Sequence, residues 1–309
     1  MVTGAGLGLG REYALHLARQ GASVVVNDLG VSLDGAGNEG SAAGDVVAAI
    51  QAAGGTAVAS TADIATWAGA EQLIDQALAT FGRLDVLVNN AGIIRDRMIV
   101  TMSEEDWDDV VRVHLKGTFA TTRHACAHWR ERVKQGLAND ARVINTTSAS
   151  GLYANVGQSN YGAAKAGVAS FTQIVAQEVE RYGVTVNAVA PGALTRLTAS
   201  LEMSEERKAT FGAERVAPLV TWLASPLSAD VTGEVFECSG RVLAVAEGWR
   251  RGPAVSDVPT SVEEINVVAR RLLAERRPRS TMADVATSSN VGSARASDPD
   301  ALSVPVTVR

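Results

Sequence analysis

The sequence predicts an α/β fold in which one doubly wound parallel sheet carries helices on both faces. Short runs rich in valine and alanine alternate with longer segments of helical periodicity through residues 1–240. The short runs, such as "ASVVVND" at 22–28, are almost continuously apolar, which is typical of strands buried on both faces of a parallel sheet. One sheet accounts for all of these runs, so the sequence indicates one domain rather than two.

The predicted elements follow one another in a regular order after a very short first strand. Further strands are predicted at 22–28, 55–61, 84–90, 141–148, 184–191 and 233–238, and helices at 11–20, 42–53, 69–81, 103–134 and 159–181. Ser103 and Asp106 form a weaker version of the capping box at the start of the fourth helix. This βαβ alternation predicts right-handed crossovers and a single Rossmann-type domain over residues 1–240.

The two ends of the chain stand outside this pattern. Only Met1 and Val2 precede the first glycine-rich turn, whereas strands commonly have about 5–6 residues, so we expect a truncated first strand and an internal start at Met1. Residues 241–286 predict an extension near the substrate pocket, with a helix at 262–277 that opens on a capping box of Ser261 and Glu264. Residues 287–309, rich in Ser, Ala, Asp and Pro, predict a disordered tail.

The composition excludes several classes of protein. The net charge of −6 argues against a nucleic-acid partner, which usually requires a basic face. No apolar run reaches the ~18 residues of a membrane span, and the first residues lack a signal-peptide pattern. Cys126 and Cys238 lie far apart without metal-ligand spacing. We therefore expect no membrane contact, no metal site and a cytoplasmic protein whose cysteines are small buried side chains.

The stretch "TGAGLGLG" at 3–10 joins the first strand to the first helix. Gly4, Gly8 and Gly10, with Leu9 between the last two, let the backbone approach a pyrophosphate, and the helix N-terminus supplies free N–H groups. The spacing G-x-x-x-G-x-G differs from the commoner G-x-G-x-x-G, and a tight turn without a ligand is the alternative. Its place in the first βα unit favours a dinucleotide site.

Asp28 ends the second strand, 18 residues after Gly10. A carboxylate at this place binds both hydroxyls of an adenosine ribose and repels a 2′-phosphate. No Arg or Lys lies in residues 29–40 to receive such a phosphate. The sequence therefore favours NAD over NADP as the cofactor, with a plain turn residue as the alternative if the preceding loop binds no nucleotide.

The stretch "YGAAK" at 161–165 places Tyr161 and Lys165 four residues apart, on one face of a helix. A nearby ammonium group would lower the pKa of the phenol from its ordinary value near ~10 and would make the pair an acid/base unit. The alternative is a surface helix that carries one tyrosine and one lysine.

Six stretches in this order resemble the short-chain dehydrogenase/reductase family over residues 1–240. They are "TGAGLGLG" at 3–10, "TADI" at 61–64, "NNAG" at 89–92, Ser148, "YGAAK" at 161–165 and "PGALT" at 191–195. The resemblance implies that Tyr161 exchanges a proton with the substrate oxygen during hydride transfer and that Ser148 holds this oxygen. It also implies that Lys165 binds the nicotinamide ribose.

The same resemblance implies further cofactor contacts. Asp63 and Ile64 are expected to frame the adenine, the NNAG motif to lie against the adenosine ribose, and the segment after Pro191 to hold the carboxamide. The residues of the last two groups are Asn90, Ala91, Gly92, Gly192, Leu194 and Thr195.

His114, in "RVHLKG", departs from the family pattern. Family members usually carry at this place an asparagine that anchors a water beside the lysine. An imidazole also holds a water or relays a proton, so His114 is predicted to join the catalytic set of Ser148, Tyr161 and Lys165. The alternative is a histidine that only packs the helix.

A closer resemblance is to one subgroup of the family, the (3R)-hydroxyacyl-CoA dehydrogenase regions of peroxisomal multifunctional enzymes of type 2. It is carried by "VVVNDLG", "AGIIRDRM" and "SASGLYANVGQSNYGAAK". It implies an NAD-dependent enzyme for a small-molecule substrate, either an acyl-CoA or a 17β-hydroxysteroid. A 3-oxoacyl-carrier-protein reductase and a non-enzymatic NAD sensor are the alternatives. Small residues in 162–169 permit close helix packing, as in the homodimers and homotetramers usual for the family.

Overall fold

The computed structural model describes residues 1–30, 42–193, 211–256 and 258–282. It confirms the doubly wound α/β fold. Eight strands form one sheet in the order β3-β2-β1-β4-β5-β6-β7-β8, and every neighbouring pair is parallel except β7 with β8. The strands are β1 (Val2–Thr3), β2 (Val24–Asn27), β3 (Ala57–Ser60), β4 (Val86–Asn89), β5 (Ala141–Thr146), β6 (Val184–Gly192), β7 (Val235–Ser239) and β8 (Leu243–Val245).

The helices cover both faces of the sheet and lie close to their predicted positions. They are α1 (Gly8–Arg19), α2 (Ala42–Ala52), α3 (Trp67–Phe81), α4 (Glu104–Val111), α5 (Gly117–Lys134), α6 (Ala149–Tyr153), α7 (Ser159–Val179), α8 (Ala217–Leu223) and α9 (Val262–Glu275). The sequence did not predict α6 or α8, because five and seven residues are too few to show a helical period. It also missed β8, a three-residue edge strand.

The predicted helix at 103–134 is continuous in the chain but changes geometry in its middle. One π-helical turn, Arg112–Lys116, separates α4 from α5. The capping box at its start is confirmed: Asp106 N donates to Ser103 Oγ at 3.0 Å, and Ser103 N donates to Asp106 Oδ2 at 3.3 Å. Single π-turns inside α-helices often occur at functional sites, and this one carries His114.

Two apolar clusters hold the sheet between its helical layers. One contains Tyr13 and Ile50 from α1 and α2, and the other contains Leu73 and Trp129 from α3 and α5. The indole of Trp129 donates to Leu84 O at 2.7 Å, so this buried polar atom is satisfied. Burial on both faces explains why the parallel strands are continuously apolar.

The extension after β7 has little contact with this core. No residue of α9 is buried, and the Trp249 side chain is fully exposed. A location of residues 241–286 beside the substrate therefore stays a prediction. The predicted tail at 287–309 lies outside the described residues. No helix in the described part of the chain is long and apolar enough to cross a bilayer.

Candidate active site

Ser148 and Tyr161 meet where β5 ends and α7 begins. Ser148 is the N-cap of α6, and its Oγ accepts from Ser150 N at 3.2 Å. A hydrogen bond joins the side chains of Ser148 and Tyr161, and this bond acts to lower the pKa of the phenol. Both hydroxyls therefore lie at the carboxyl edge of the parallel sheet, where ligands of such folds bind.

Lys165 lies one helical turn after Tyr161 and is buried. Its Nζ donates to Thr146 O at 2.6 Å, and the centre of the Tyr161 ring lies 5.7 Å from the same atom. Burial lowers the pKa of Lys165 to about 7, because the charged form loses its solvation. The structure thus brings Ser148, Tyr161 and Lys165 together, as the motif spacing predicts.

The pKa of Tyr161 differs from the sequence-based prediction. Lys165 was expected to lower it, but in the structure burial raises the pKa of Tyr161 above its ordinary value, and the charge of Asp96 acts in the same direction. The hydrogen bond to Ser148 opposes this rise without cancelling it. The physical reason is desolvation of the phenolate, together with a lysine that is itself desolvated and directs its ammonium group to the Thr146 carbonyl.

His114 is buried beside this pair. Its ring stands edge-on to the ring of Tyr161, with 5.1 Å between the centres. Its Nε2 lies 3.1 Å from Ile93 N and 2.7 Å from Ile93 O, and the tautomer decides which of the two it bonds. Burial, and then the charge of Lys165, lower the pKa of His114 to about 3, while the bond to Ile93 acts to raise it. The imidazole is therefore neutral near pH 7.

The glycine-rich turn after β1 has the geometry of a phosphate-binding loop. Gly4 and Gly8 have φ angles of +60° and +55°, which strain any other residue. A Cβ on Gly10 would lie 2.1 Å from Gly4 O. The N-cap of α1, Leu7, makes no side-chain hydrogen bond, so the first N–H groups of the helix have no side-chain cap. A turn without side chains in front of an uncapped helix fits a pyrophosphate.

Asn90 connects this loop to the motif after β4. Its Nδ2 donates to Thr3 O at 3.1 Å and to Gly4 O at 3.0 Å. The N–H groups of Asn90 and Ala91 donate to Thr3 Oγ1 at 2.9 and 3.1 Å. In the structure the Asn90 side chain therefore holds the loop in place. Thr3 has the same task, and no motif argument had singled it out.

The remaining cofactor residues lie on neighbouring strand ends. Asp28 follows β2, and its carboxylate accepts from Gly6 N at 2.8 Å and from Gly30 N at 2.9 Å. Asp63 Oδ1 accepts from Ala65 N at 3.0 Å, and the adjacent Ile64 is buried. These bonds fix both carboxylates on the nucleotide side of the sheet.

The two glycines predicted on the nicotinamide side lie in described parts of the chain. A Cβ on Gly92 would lie 2.2 Å from His114 Cε1, so this glycine leaves space for the imidazole. Gly192 is the last residue of β6. Leu194 and Thr195, which are expected to hold the carboxamide, lie outside the described residues, as does the loop at 31–41.

Comparisons with known proteins place this arrangement among dehydrogenases. A family model described as short chain dehydrogenase matches residues 1–208. The hydroxyacyl-CoA dehydrogenase ChsB1 of Mycobacterium tuberculosis is 45% identical over 247 residues, which are 76% of this chain and 75% of that protein. Peroxisomal multifunctional enzyme type 2 of Mus musculus is 44% identical over 249 residues, 81% of this chain, and the chain spans only 31% of the mouse protein.

A solved structure agrees with these sequence matches. The crystal structure of a short chain dehydrogenase from Mycobacterium avium resembles the chain with a TM-score of 0.83 and 52% sequence identity. The match covers 91% of this chain and 96% of that one.

Proposed function

Because this chain belongs to the short-chain dehydrogenase family, we propose that it is an NAD-dependent (3R)-3-hydroxyacyl-CoA dehydrogenase. The family consists of oxidoreductases that act on CH–OH groups with NAD(P), and the chain is an oxidoreductase of this kind. The observation that carries the finer proposal is the hydrogen-bonded pair of Ser148 and Tyr161 above the buried Lys165. The sequence similarity to ChsB1, named a hydroxyacyl-CoA dehydrogenase, supports the substrate class.

In the proposed reaction, the chain handles the proton and the oxygen of the substrate. The nicotinamide, when bound, accepts or supplies the hydride at the substrate carbon. Ser148 Oγ holds the substrate oxygen by a hydrogen bond, and Tyr161 donates a proton to it when a ketone is reduced. The raised pKa of Tyr161 suits this direction, because it keeps the resting group a phenol. In oxidation, the same hydroxyl takes the proton from the alcohol.

Asp28 supports NAD rather than NADP as the cofactor. Its carboxylate is held at the end of β2 by two backbone N–H groups, which leaves lone pairs on both oxygens for ribose hydroxyls. A 2′-phosphate at this place would meet a fixed negative charge. Titration of the purified protein with both cofactors tests this: NAD should bind more tightly, and Asp28→Ser should narrow the difference. Tighter binding of NADP by the unchanged protein would exclude the proposal.

The substrate is tested with chirally pure (3R)- and (3S)-3-hydroxyacyl-CoAs of matched chain length and with a 17β-hydroxysteroid. NAD reduction should be fast with the (3R) thioester and at least about 10-fold slower with its enantiomer, because a fixed Ser148–Tyr161 pair presents the oxygen from one side. Equal rates with both enantiomers would reject the stereochemical proposal. Turnover of the steroid alone would assign the second substrate class.

The assembly and the location of the protein are proposals as well. Phe119 on α5 and Ile174 on α7 are exposed apolar side chains, which supports a homodimer or homotetramer built through these helices. Cys126 and Cys238 are free thiols, which suits the reducing cytoplasm. Light scattering and cell fractionation of the native source test the two statements.

A further inference from the structure

Asn160, the residue immediately before Tyr161, has a fully buried side chain (0% exposed). Its amide makes a complete set of hydrogen bonds. Nδ2 donates to Arg95 O and to Asp106 O, both at 2.9 Å, and Oδ1 accepts from Tyr161 N at 2.7 Å. Two carbonyls face the nitrogen and one N–H faces the oxygen, so this network determines the orientation of the amide.

Asn160 replaces an ordinary helix cap at the start of α7. Gln158, the N-cap of this helix, makes no side-chain hydrogen bond. The N–H of Tyr161 is one of the donors that have no partner within the helix, and Oδ1 of Asn160 satisfies it from inside the first turn. The main chain of Tyr161 is therefore held by its neighbour rather than by the usual cap.

The two carbonyls that bind Asn160 belong to the segments that also hold His114. Arg95 lies two residues after Ile93, whose main chain contacts Nε2 of His114. Asp106 lies in the first turn of α4, which continues directly into the π-turn of His114. One buried amide thus links the backbone of Tyr161 to both segments that place His114.

We propose that Asn160 is a positioning residue that sets the placement of Tyr161 relative to His114 and Ser148. It does not touch the substrate and acts through the start of α7. The proposal rests on the assignment of Tyr161 as the proton donor. Small displacements of a reacting group reduce rates by up to about 100-fold, so one buried amide at this place is enough to affect turnover.

Two variants test the proposal, with Ser159→Ala as the matched control on the exposed side of the same turn. Asn160→Asp keeps the shape but turns an acceptor toward two carbonyls, and Asn160→Ser keeps one donor in a smaller side chain. We expect kcat with NAD and the (3R) thioester to fall about 10- to 100-fold in both variants. The Kd for NAD should stay within about 3-fold, because the nucleotide loop makes no contact with Asn160.

The pH dependence separates positioning from a purely structural role. The aspartate of Asn160→Asp regains a donor when it is protonated, so this variant should recover activity relative to wild type as the pH falls. Asn160→Ser should show no such recovery. If both variants lose melting temperature while the folded protein turns over within about 3-fold of wild type, Asn160 is only structural and the proposal is wrong.

A titration of Tyr161 keeps this test apart from the choice of substrate. The phenolate absorbance of each protein minus that of its Tyr161→Phe version isolates this one tyrosine. Asn160→Ser should move the Tyr161 pKa by at least about half a unit toward its ordinary value, because a looser helix start admits water. An unchanged titration would overturn the positioning role, even if no 3-hydroxyacyl-CoA proves to be a substrate. Absence of (3R) turnover in wild type would reject only the proposed function.

Discussion

The nucleotide half and the catalytic half of the site are built from opposite kinds of residue. Around the phosphate loop, the important feature is the absence of side chains: Gly4 and Gly10 leave no space for a Cβ. At the catalytic end, the important feature is the presence of buried polar side chains, such as Lys165 and His114, each bonded to a main-chain group. The nucleotide half is therefore sensitive to added atoms, and the catalytic half to removed ones.

This difference has a physical cause. A pyrophosphate is bound by backbone N–H groups, which are effective only if the main chain comes close to the ligand. A proton donor must be held in one orientation, and the low dielectric of a buried site makes unpaired polar atoms costly, so every catalytic side chain needs a partner. Substitutions in the two halves should therefore change different measurements.

The largest expected effect is on turnover in the catalytic half. Tyr161→Phe removes only the transferable proton, so kcat should fall by a factor of about 100 or more. The Kd for NAD should remain nearly unchanged, since the phosphate loop is untouched. Steady-state kinetics and cofactor titration measure the two quantities. Retention of most of the activity would mean that another group transfers the proton.

The reciprocal change is Gly10→Ala in the nucleotide half. The added methyl group would lie 2.1 Å from Gly4 O and 2.5 Å from Asn90 Nδ2, so the loop must move. NAD binding should weaken at least about 10-fold, whereas kcat at saturating NAD should change little. Gly252→Ala is the control, because a Cβ there would meet no atom within 4 Å. Normal NAD affinity in Gly10→Ala would contradict the role given to the loop.

A smaller effect is expected for His114. His114→Ala should lower kcat about 10-fold, because it removes a neutral hydrogen-bonding group beside Tyr161. His114→Asn should keep more of the activity, since asparagine also bonds to main-chain groups. Thermal unfolding measured on both variants provides the comparison. If the melting temperature falls sharply while the folded protein has normal kcat, His114 only packs the helix.

The smallest effect concerns stability and pH. Lys165 has a folded pKa of about 7, whereas an unfolded lysine titrates near ~10.4. Between these values the unfolded chain binds more protons than the folded one, so the burial cost is full below about pH 7 and decreases as the pH rises. Relative to Lys165→Met, wild type should therefore gain about 1 kcal/mol of stability per pH unit from about pH 7.5 to 9.5.

Chemical denaturation over this pH range measures the difference. Lys134→Met is the control, because Lys134 is exposed and pairs only with Glu131 at the surface. Parallel stability curves for wild type and Lys165→Met would mean that Lys165 stays charged in the folded protein.

Local patterns of the sequence determined the fold class and most of the site. Continuous apolar strands, helical periodicity and glycine spacing are short-range features, and they predicted the parallel sheet, the phosphate loop and the place of Asp28. The spacing of Tyr161 and Lys165 likewise follows from one helical turn. For the same reason Ser148 was predicted at the end of a strand, where such sheets bind ligands.

Only the tertiary structure decided how these groups behave. The rise of the Tyr161 pKa depends on burial by several segments, and the π-turn at His114 is not visible in a hydrophobic pattern. Asn160 shows why: its donors reach carbonyls 65 and 54 residues away in the chain, so nothing near it in the sequence indicates its partners. Desolvation and long-range hydrogen bonds are properties of the packed molecule, whereas periodicity and motif spacing are properties of the chain.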